Sequence, residues 1–405
     1  MTTSDHGTSD HGTVVSLPNG SVRVEGHLDL VATADGIRPV RIPVRHWTHF
    51  PPAGEVLRAM ASSASGVRLR VETEATRLTL RVRCTRIRIG EAVRPGDAFV
   101  ARVDGVDVAV AAAPDTQTLA ISPAGDEAAL VSHAGDSRIE LAPLPAGRKV
   151  VTVFLPQGMT VDLLDIVGDA DVTAAAPSGR PVWVHHGSSI SHGAEAELPT
   201  SVWPVVASEL AELDVVNLGF GGHCMLDPFV ADAIAAAPAD LISLKVGVNI
   251  VGARAMDQRT FVPALHGFID RIRAGHPDTP LVLCSSILWP GSDDTPGPSD
   301  VEFFDDGGIR CFTAGDPADI GKGALTLAES RRHIEHVVEV RRAAGENISY
   351  LDGLALYGPG DVERHPLPDS LHPDTALYEE IGRRFAQRVF GDEGLYPRAA
   401  IGRTA

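Results

Sequence analysis

The hydrophobic pattern of this chain changes kind near residue 178, and that change restricts it to two different architectures in series. From about residue 20 to 178 apolar and polar residues alternate at period 2, and helical periodicity is scarce. The runs 67–74 (VRLRVETE), 78–86 (LTLRVRCTR), 99–110, 118–122, 138–141, 149–155 and 160–166 are short, and turn residues such as Arg94-Pro95-Gly96-Asp97 and Pro145-Ala146-Gly147 divide several of them. Many short strands at this spacing predict an antiparallel β-sandwich over 20–178.

Beyond residue 178 strand and helix alternate. Buried strands are expected at 182–186, 215–218, 241–246, 281–285 and 348–352, and helices at 200–213, 260–275, 324–343 and 375–390. In the first helix Trp203, Val206, Leu210 and Leu213 fall on one stripe; in the last, Tyr378, Ile381, Phe385 and Val389 do. The predicted class is α/β: the sandwich, then a flavodoxin-like, doubly wound parallel sheet over 179–396. At 405 residues the chain is longer than one core usually supports, which agrees with two domains.

Residues 1–19 are expected to be a disordered tail. They hold the five-residue repeat TSDHG twice, at 3–12, a polar, Gly-containing composition whose two histidines are the only hint of a metal there. The N-terminus shows no basic and apolar signal pattern, and no apolar run approaches the ~20 residues of a membrane span. The net charge of −18 argues against nucleic acid and anionic membranes as partners. Cys84, Cys224, Cys284 and Cys311 lack metal-type spacing, so reduced thiols and a cytoplasmic location are expected.

The stretch 181–193, PVWVHHGSSISHG, carries the chemistry-bearing signal. A short β-branched run ends on Gly187-Ser188-Ser189, which puts serines at the carboxyl end of the first parallel strand, where such sheets bind ligands. Taken alone, Gly-Ser-Ser is what turns are made of. Three more segments at predicted strand ends or before a helix change its weight: Asn217-Leu218-Gly219-Phe220-Gly221-Gly222, Gly247-Val248-Asn249, and Asp369-Ser370-Leu371-His372. In this order the four resemble the blocks of the SGNH (GDSL-type) hydrolase superfamily, over roughly the second half of the chain.

The resemblance implies Ser189 as nucleophile, with Ser188 standing where the family has aspartate and remaining the rival hydroxyl. It implies His372 as general base, Asp369 as the group orienting it, and an oxyanion hole from the N–H groups of Ser189 and Gly222 and the side-chain amide of Asn249. His223 and Met225, beside Gly222, are expected to line the substrate pocket. The segment 286–323, rich in Pro, Gly and Asp, is far longer than the usual loop; it is either a solvated insertion or a substrate cover, and Trp289, Phe303 and Phe304 favour the cover, with Trp289 a substrate contact. His185, His186 and His192 invite a metal reading, but no helical H-x-x-x-H with an acidic partner occurs; no metal and no cofactor are expected, and no G-x-G-x-x-G follows the first strand.

The expected activity is therefore that of a serine-dependent acyl-ester hydrolase or acyltransferase working through an acyl-Ser189 intermediate. Its partners would be a small-molecule or glycoconjugate ester and, for a transferase, an alcohol acceptor, as in O-acyl transfer in secondary metabolism. The sandwich resembles the accessory domain of sugar-ester deacetylases and of actinomycete GDSL-type proteins. The alternative is an inactive SGNH-fold binding module, for which Ser188 is the only support.

Overall fold

The computed structural model describes residues 11–52, 54–89, 94–114, 116–122, 127–133, 135–304 and 309–402. Two seven-stranded sheets face each other in the N-terminal half. The first runs through Thr13–Leu17, Gly20–Glu25, Arg68–Thr73, Lys149–Phe154, Ala98–Val103 and Val106–Ala112, with Val172–Ala174 added beside Arg68–Thr73. The second is centred on the long strand Leu78–Ile89 and its antiparallel partner Met159–Gly168. Alternating residues such as Val22, Val24, Leu69, Val71, Leu80, Val82, Val151 and Val153 fill the space between the sheets, as the period-2 pattern requires. Pairing is antiparallel except where Leu78–Ile89 meets Gln117–Ile121.

The expected tail is too long. Thr13–Leu17 forms a strand paired with Gly20–Glu25 across the turn at Pro18-Asn19, because Val15 and Val22 then share the buried face. Most of the TSDHG repeat lies outside the described residues. A helix, α1 (Glu55–Ser62), interrupts the sandwich half; it buries Leu57 and Ala61 against the core of the following domain.

The C-terminal sheet has five parallel strands: β1 (Val182–Gly187), β2 (Asp214–Gly219), β3 (Leu241–Lys245), β4 (Leu281–Cys284) and β5 (Ile348–Leu351). Their spatial order is β2-β1-β3-β4-β5, the doubly wound arrangement whose ligand crevice lies at the carboxyl ends beside β1. The strands are buried on both faces. Val182 and Val184 pack with one helix layer, while Trp183 faces the other and stacks on Phe385 at 5.2 Å between ring centroids.

The helices are α2 (Ser189–His192), α3 (Trp203–Leu210), α4 (Pro228–Ala236), α5 (Val248–Gly252), α6 (Gln258–Gly275), α7 (Leu327–Ala343) and α8 (Thr375–Phe385). Two expectations need correcting. The helix predicted over 200–213 is a 3-10 turn (Pro199–Ser201) followed by α3, and its buried face is Trp203, Pro204, Ala207 and Ser208, so Leu210 is 58% exposed. The segment α8 ends at Phe385 and continues as one π turn, Ala386–Phe390. Within 286–323, strands Ser299–Phe303 and Ile309–Thr313 form a hairpin, followed by a 3-10 turn over Pro317–Lys322. Among the described residues no helix is long and apolar enough to cross a membrane.

Candidate active site

At the end of β1 the chain turns so tightly that a Cβ on Gly187 would run into the Ser191 hydroxyl. Ser188 then caps α2: its Oγ accepts from the Ile190 N–H at 3.3 Å, and the residue is fully buried. Ser188 thus holds the helix N-terminus. Its hydroxyl is committed there, whereas Ser189, at the first helical position, borders a cavity of about 510 Å³. Of the two rival hydroxyls, only that of Ser189 faces space in which a substrate fits.

Ser189 Oγ lies 2.8 Å from His372 Nε2, although 183 residues separate them. His372 Nδ1 lies 2.6 Å from Asp369 Oδ2. The other oxygen, Oδ1, accepts from the N–H groups of His372 at 2.7 Å and Leu371 at 3.0 Å. Ser370, between Asp369 and His372, takes a left-handed φ of +67°, which folds Asp369 back under the imidazole. Burial works to raise the Asp369 carboxyl, but the hydrogen bond and charge of His372, with the two backbone N–H groups, outweigh it and hold the pKa well below the usual carboxylate range. An ionised Asp369 accepts a hydrogen bond from Nδ1–H, which leaves the Nε2 lone pair for the Ser189 O–H. The hairpin of the long segment anchors this loop, since the Cys311 N–H donates to the Asp369 carbonyl at 2.7 Å.

Gly222 adopts φ +74° and borders the cavity with its backbone. Asn249, in α5, accepts from the Cys224 N–H through Oδ1 at 3.0 Å, which fixes the amide orientation and turns Nδ2 away from Cys224 as the donor end. Asn217 ties this loop to the serine: Oδ1 accepts from the Gly219 N–H at 3.0 Å, and Nδ2 donates to the Ser191 carbonyl at 2.8 Å and to Ser65 Oγ at 2.9 Å. Ser189, Gly222, Asn249 and His372 therefore converge on one cavity. A hydroxyl with a base and an orienting carboxylate, opposite N–H donors, is the equipment of acyl transfer.

His223 borders the cavity, and burial lowers its pKa. Met225 and Trp289 do not border it. Met225 turns back to pack on the domain core. Trp289 is 1% exposed, and its indole N–H donates to the Cys311 carbonyl at 3.3 Å, so it supports the hairpin from beneath instead of meeting substrate. Phe304 is exposed, and the Phe303 side chain lies outside what is described. Ser299, Asp300, Val301 and Cys311 supply that segment's part of the cavity wall.

Each of the three histidines near Ser189 is committed inside the fold. His185 shares hydrogen bonds with Ser243 Oγ at 2.7 Å and Ser191 Oγ at 2.8 Å, and burial pushes its pKa well down. His186 donates from Nδ1 to the Leu218 carbonyl at 2.7 Å, and burial pushes it down to about 4. His192 donates from Nε2 to the Gln157 carbonyl at 2.9 Å; burial, then the Arg41 cation, push it down to about 3. All four cysteines are buried and outside any disulfide.

What the sequence did not reveal is the opposite wall. Val56, Met60, Ile87, Ile89, Arg94 and Gln157, all from the N-terminal half, border the same cavity. No local signal marks them: in a period-2 strand Ile87 and Ile89 read as ordinary face residues.

Residues 180–289 match the model of the GDSL-like lipase/acylhydrolase family, and residues 22–156 match that of the SsfX3 N-terminal domain. Among solved structures, the salicylyl-acyltransferase SsfX3 from a tetracycline biosynthetic pathway is similar over 94% of this chain and 96% of its own, at 26% identity and a TM-score of 0.71. A protein from Bacteroides ovatus ATCC 8483 described as GDSL-like lipase is similar over 89% and 93%, at 16% identity and a TM-score of 0.61. A family two carbohydrate esterase from Cellvibrio japonicus is similar over 93% and 96%, at 14% identity and a TM-score of 0.52. The last two share the fold with this chain. No curated protein matches it.

Proposed function

We propose that this chain, a two-domain SGNH (GDSL-type) enzyme joining an SsfX3-type N-terminal domain to a GDSL-like acylhydrolase domain, transfers an acyl group to an alcohol acceptor through Ser189. The observation that carries the chemistry is the 2.8 Å contact of Ser189 Oγ with His372 Nε2 at the floor of a cavity walled by both halves of the chain. The similarity to an acyltransferase along 94% of the chain favours transfer over hydrolysis. Nothing among the described residues favours a binding-only role.

In the first step Ser189 Oγ attacks the acyl carbonyl while its proton passes to His372 Nε2. The oxyanion accepts from the Ser189 and Gly222 N–H groups and from Asn249 Nδ2. As the tetrahedral species collapses, His372 returns the proton to the leaving alkoxide. In the second step the acceptor hydroxyl gives its proton to His372 and attacks the acyl-Ser189 carbonyl; on collapse His372 passes that proton to Ser189 Oγ, releasing the new ester and the free serine. The cavity size is that of a small-molecule site, and the walls from Val56, Met60, Ile87 and Ile89 suit an apolar acyl or acceptor body. Four buried cysteines outside any disulfide fit a reducing compartment, so we place the enzyme in the cytoplasm; recovery of the chain outside the cell on fractionation would overturn that placement.

With p-nitrophenyl acetate as donor, added alcohols are expected to divert acetyl groups into new esters at the expense of free acetate. Acetate release that no acceptor diverts would make the enzyme a hydrolase. Asn249→Ala should lower kcat by about 100- to 1000-fold in the same assay with KM little changed, as for loss of one oxyanion donor. A kcat within a few-fold of wild type would remove Asn249 from the oxyanion hole.

A further inference from the structure

β2 is the edge strand of the parallel sheet, so the outward carbonyls of Val215, Asn217 and Gly219 have no strand partner. Two buried arginines of the N-terminal half cover them. Arg68 Nη1 donates to the Val215 carbonyl at 3.0 Å, at the end of β2 far from the cavity. Arg41 Nη1 donates to the carbonyls of Asn217 and Gly219, each at 2.8 Å, at the end that runs into Phe220-Gly221-Gly222.

Arg41 does more than cover an edge. It is fully buried, and its Nε donates to the Ser63 carbonyl at 2.7 Å. Its Nη2 donates to the Met60 carbonyl, to Ser63 Oγ at 2.9 Å and toward His192 Nδ1 at 3.2 Å. The guanidinium carbon stands 5.0 Å from the centre of the Phe220 ring. One planar fork thus joins the loop after α1, the last turn of the nucleophile helix and the strand that leads to Gly222. A buried charge of this kind is poor as a stabiliser, since an apolar filler of like volume often does as well, but it fixes geometry because every N–H must find its acceptor.

We infer that Arg41 is a positioning residue for the oxyanion site, holding the Gly222 loop against the Ser189 helix from the N-terminal domain. The inference rests on the Ser189 reading above. Lysine keeps the charge but cannot span two carbonyls with a rigid fork. Arg41→Lys is therefore expected to lower kcat for p-nitrophenyl acetate by on the order of 100-fold, the cost of misplacing a reacting group by about 1 Å. KM should stay within about 3-fold, and affinity for phenylboronic acid, which forms a tetrahedral adduct at the serine, should fall in step with kcat. Arg68→Lys loosens the same strand edge away from the site. It should lower Tm comparably and leave kcat and boronate affinity within about 3-fold, as expected of a group with no part in transition-state binding.

Losses of kcat that follow Tm alike in both variants would overturn the inference, as would unchanged boronate affinity in Arg41→Lys. If Arg41→Lys does not fold, Ser63→Ala, which removes one acceptor and leaves the guanidinium, should show the same split at several-fold size; an unchanged kcat there would overturn it too. Turnover that survives Ser189→Ala would instead sink the Ser189 reading itself.

Discussion

Ser189→Ala is expected to lower p-nitrophenyl ester turnover by on the order of 10⁴- to 10⁶-fold, the range seen when a nucleophile is removed from a triad that acts as a unit. The fold should be untouched. Ser189 occupies the first helical position of α2, alanine is the best helix former, and the cap is supplied by Ser188. Thermal unfolding should therefore stay close to wild type, and a fluorophosphonate probe that labels wild type at residue 189 should fail to label the variant. Ser188→Ala should behave in the opposite way: it loses the capping hydroxyl, at a cost of about 1 kcal/mol, while labelling at Ser189 persists. Turnover retained by Ser189→Ala, or a label recovered on Ser188, would reverse the assignment.

The parts of this molecule that were legible in its sequence are those whose signals are local. Strands β1 to β5 announce themselves as short apolar runs, and their strand ends carry the serine, glycine and asparagine blocks because a parallel sheet gathers its ligand groups there. Helix α4 went unseen because PFVADAIAA is apolar nearly all round and has no polar stripe to set a period. Trp289 misled for a related reason. An aromatic residue in a long Pro- and Gly-rich segment reads as a lid contact, yet the segment folds a hairpin of its own that needs a buried prop.

The contacts that join the two halves of the chain were illegible on different grounds. Arg41 meets the Asn217 carbonyl across 176 residues, and Arg68 meets Asp214 across 146, with Asp214 Oδ1 at 2.9 Å from Arg68 Nη2. Arg68, in an alternating strand, reads as a solvent-facing residue, and nothing in the neighbourhood of either arginine states that a second domain will close over it. The partners of Arg41 are mostly backbone carbonyls, which carry no residue identity, so even a complete list of charged side chains would not have paired it.

Asp369→Asn tests the other half of the proposed triad, and the backbone around it decides the outcome. Oδ1 of Asp369 accepts from two N–H groups, those of Leu371 and His372. An amide placed there must offer its oxygen to both, because an NH₂ group cannot accept, and its Nδ2 then points at His372 Nδ1. That nitrogen has to give up its proton, so the imidazole carries it on Nε2, facing the Ser189 hydroxyl. A protonated Nε2 cannot take the serine proton, and kcat should fall about 10⁴-fold with the protein still folded. The variant also alters the pH dependence of stability. Because the folded Asp369 pKa lies below that of the unfolded chain, its contribution is present above the unfolded carboxylate value of about 3.9 and is lost as pH falls through the folded value. Asparagine lacks that contribution at every pH, so wild type should exceed the variant in Tm most at neutral pH, and the difference should begin to shrink below about pH 4 and close as pH falls through the folded value. Calorimetry from neutral to acid pH checks the convergence, and a variant kcat within tenfold of wild type would mean that Asp369 does not set the tautomer of His372.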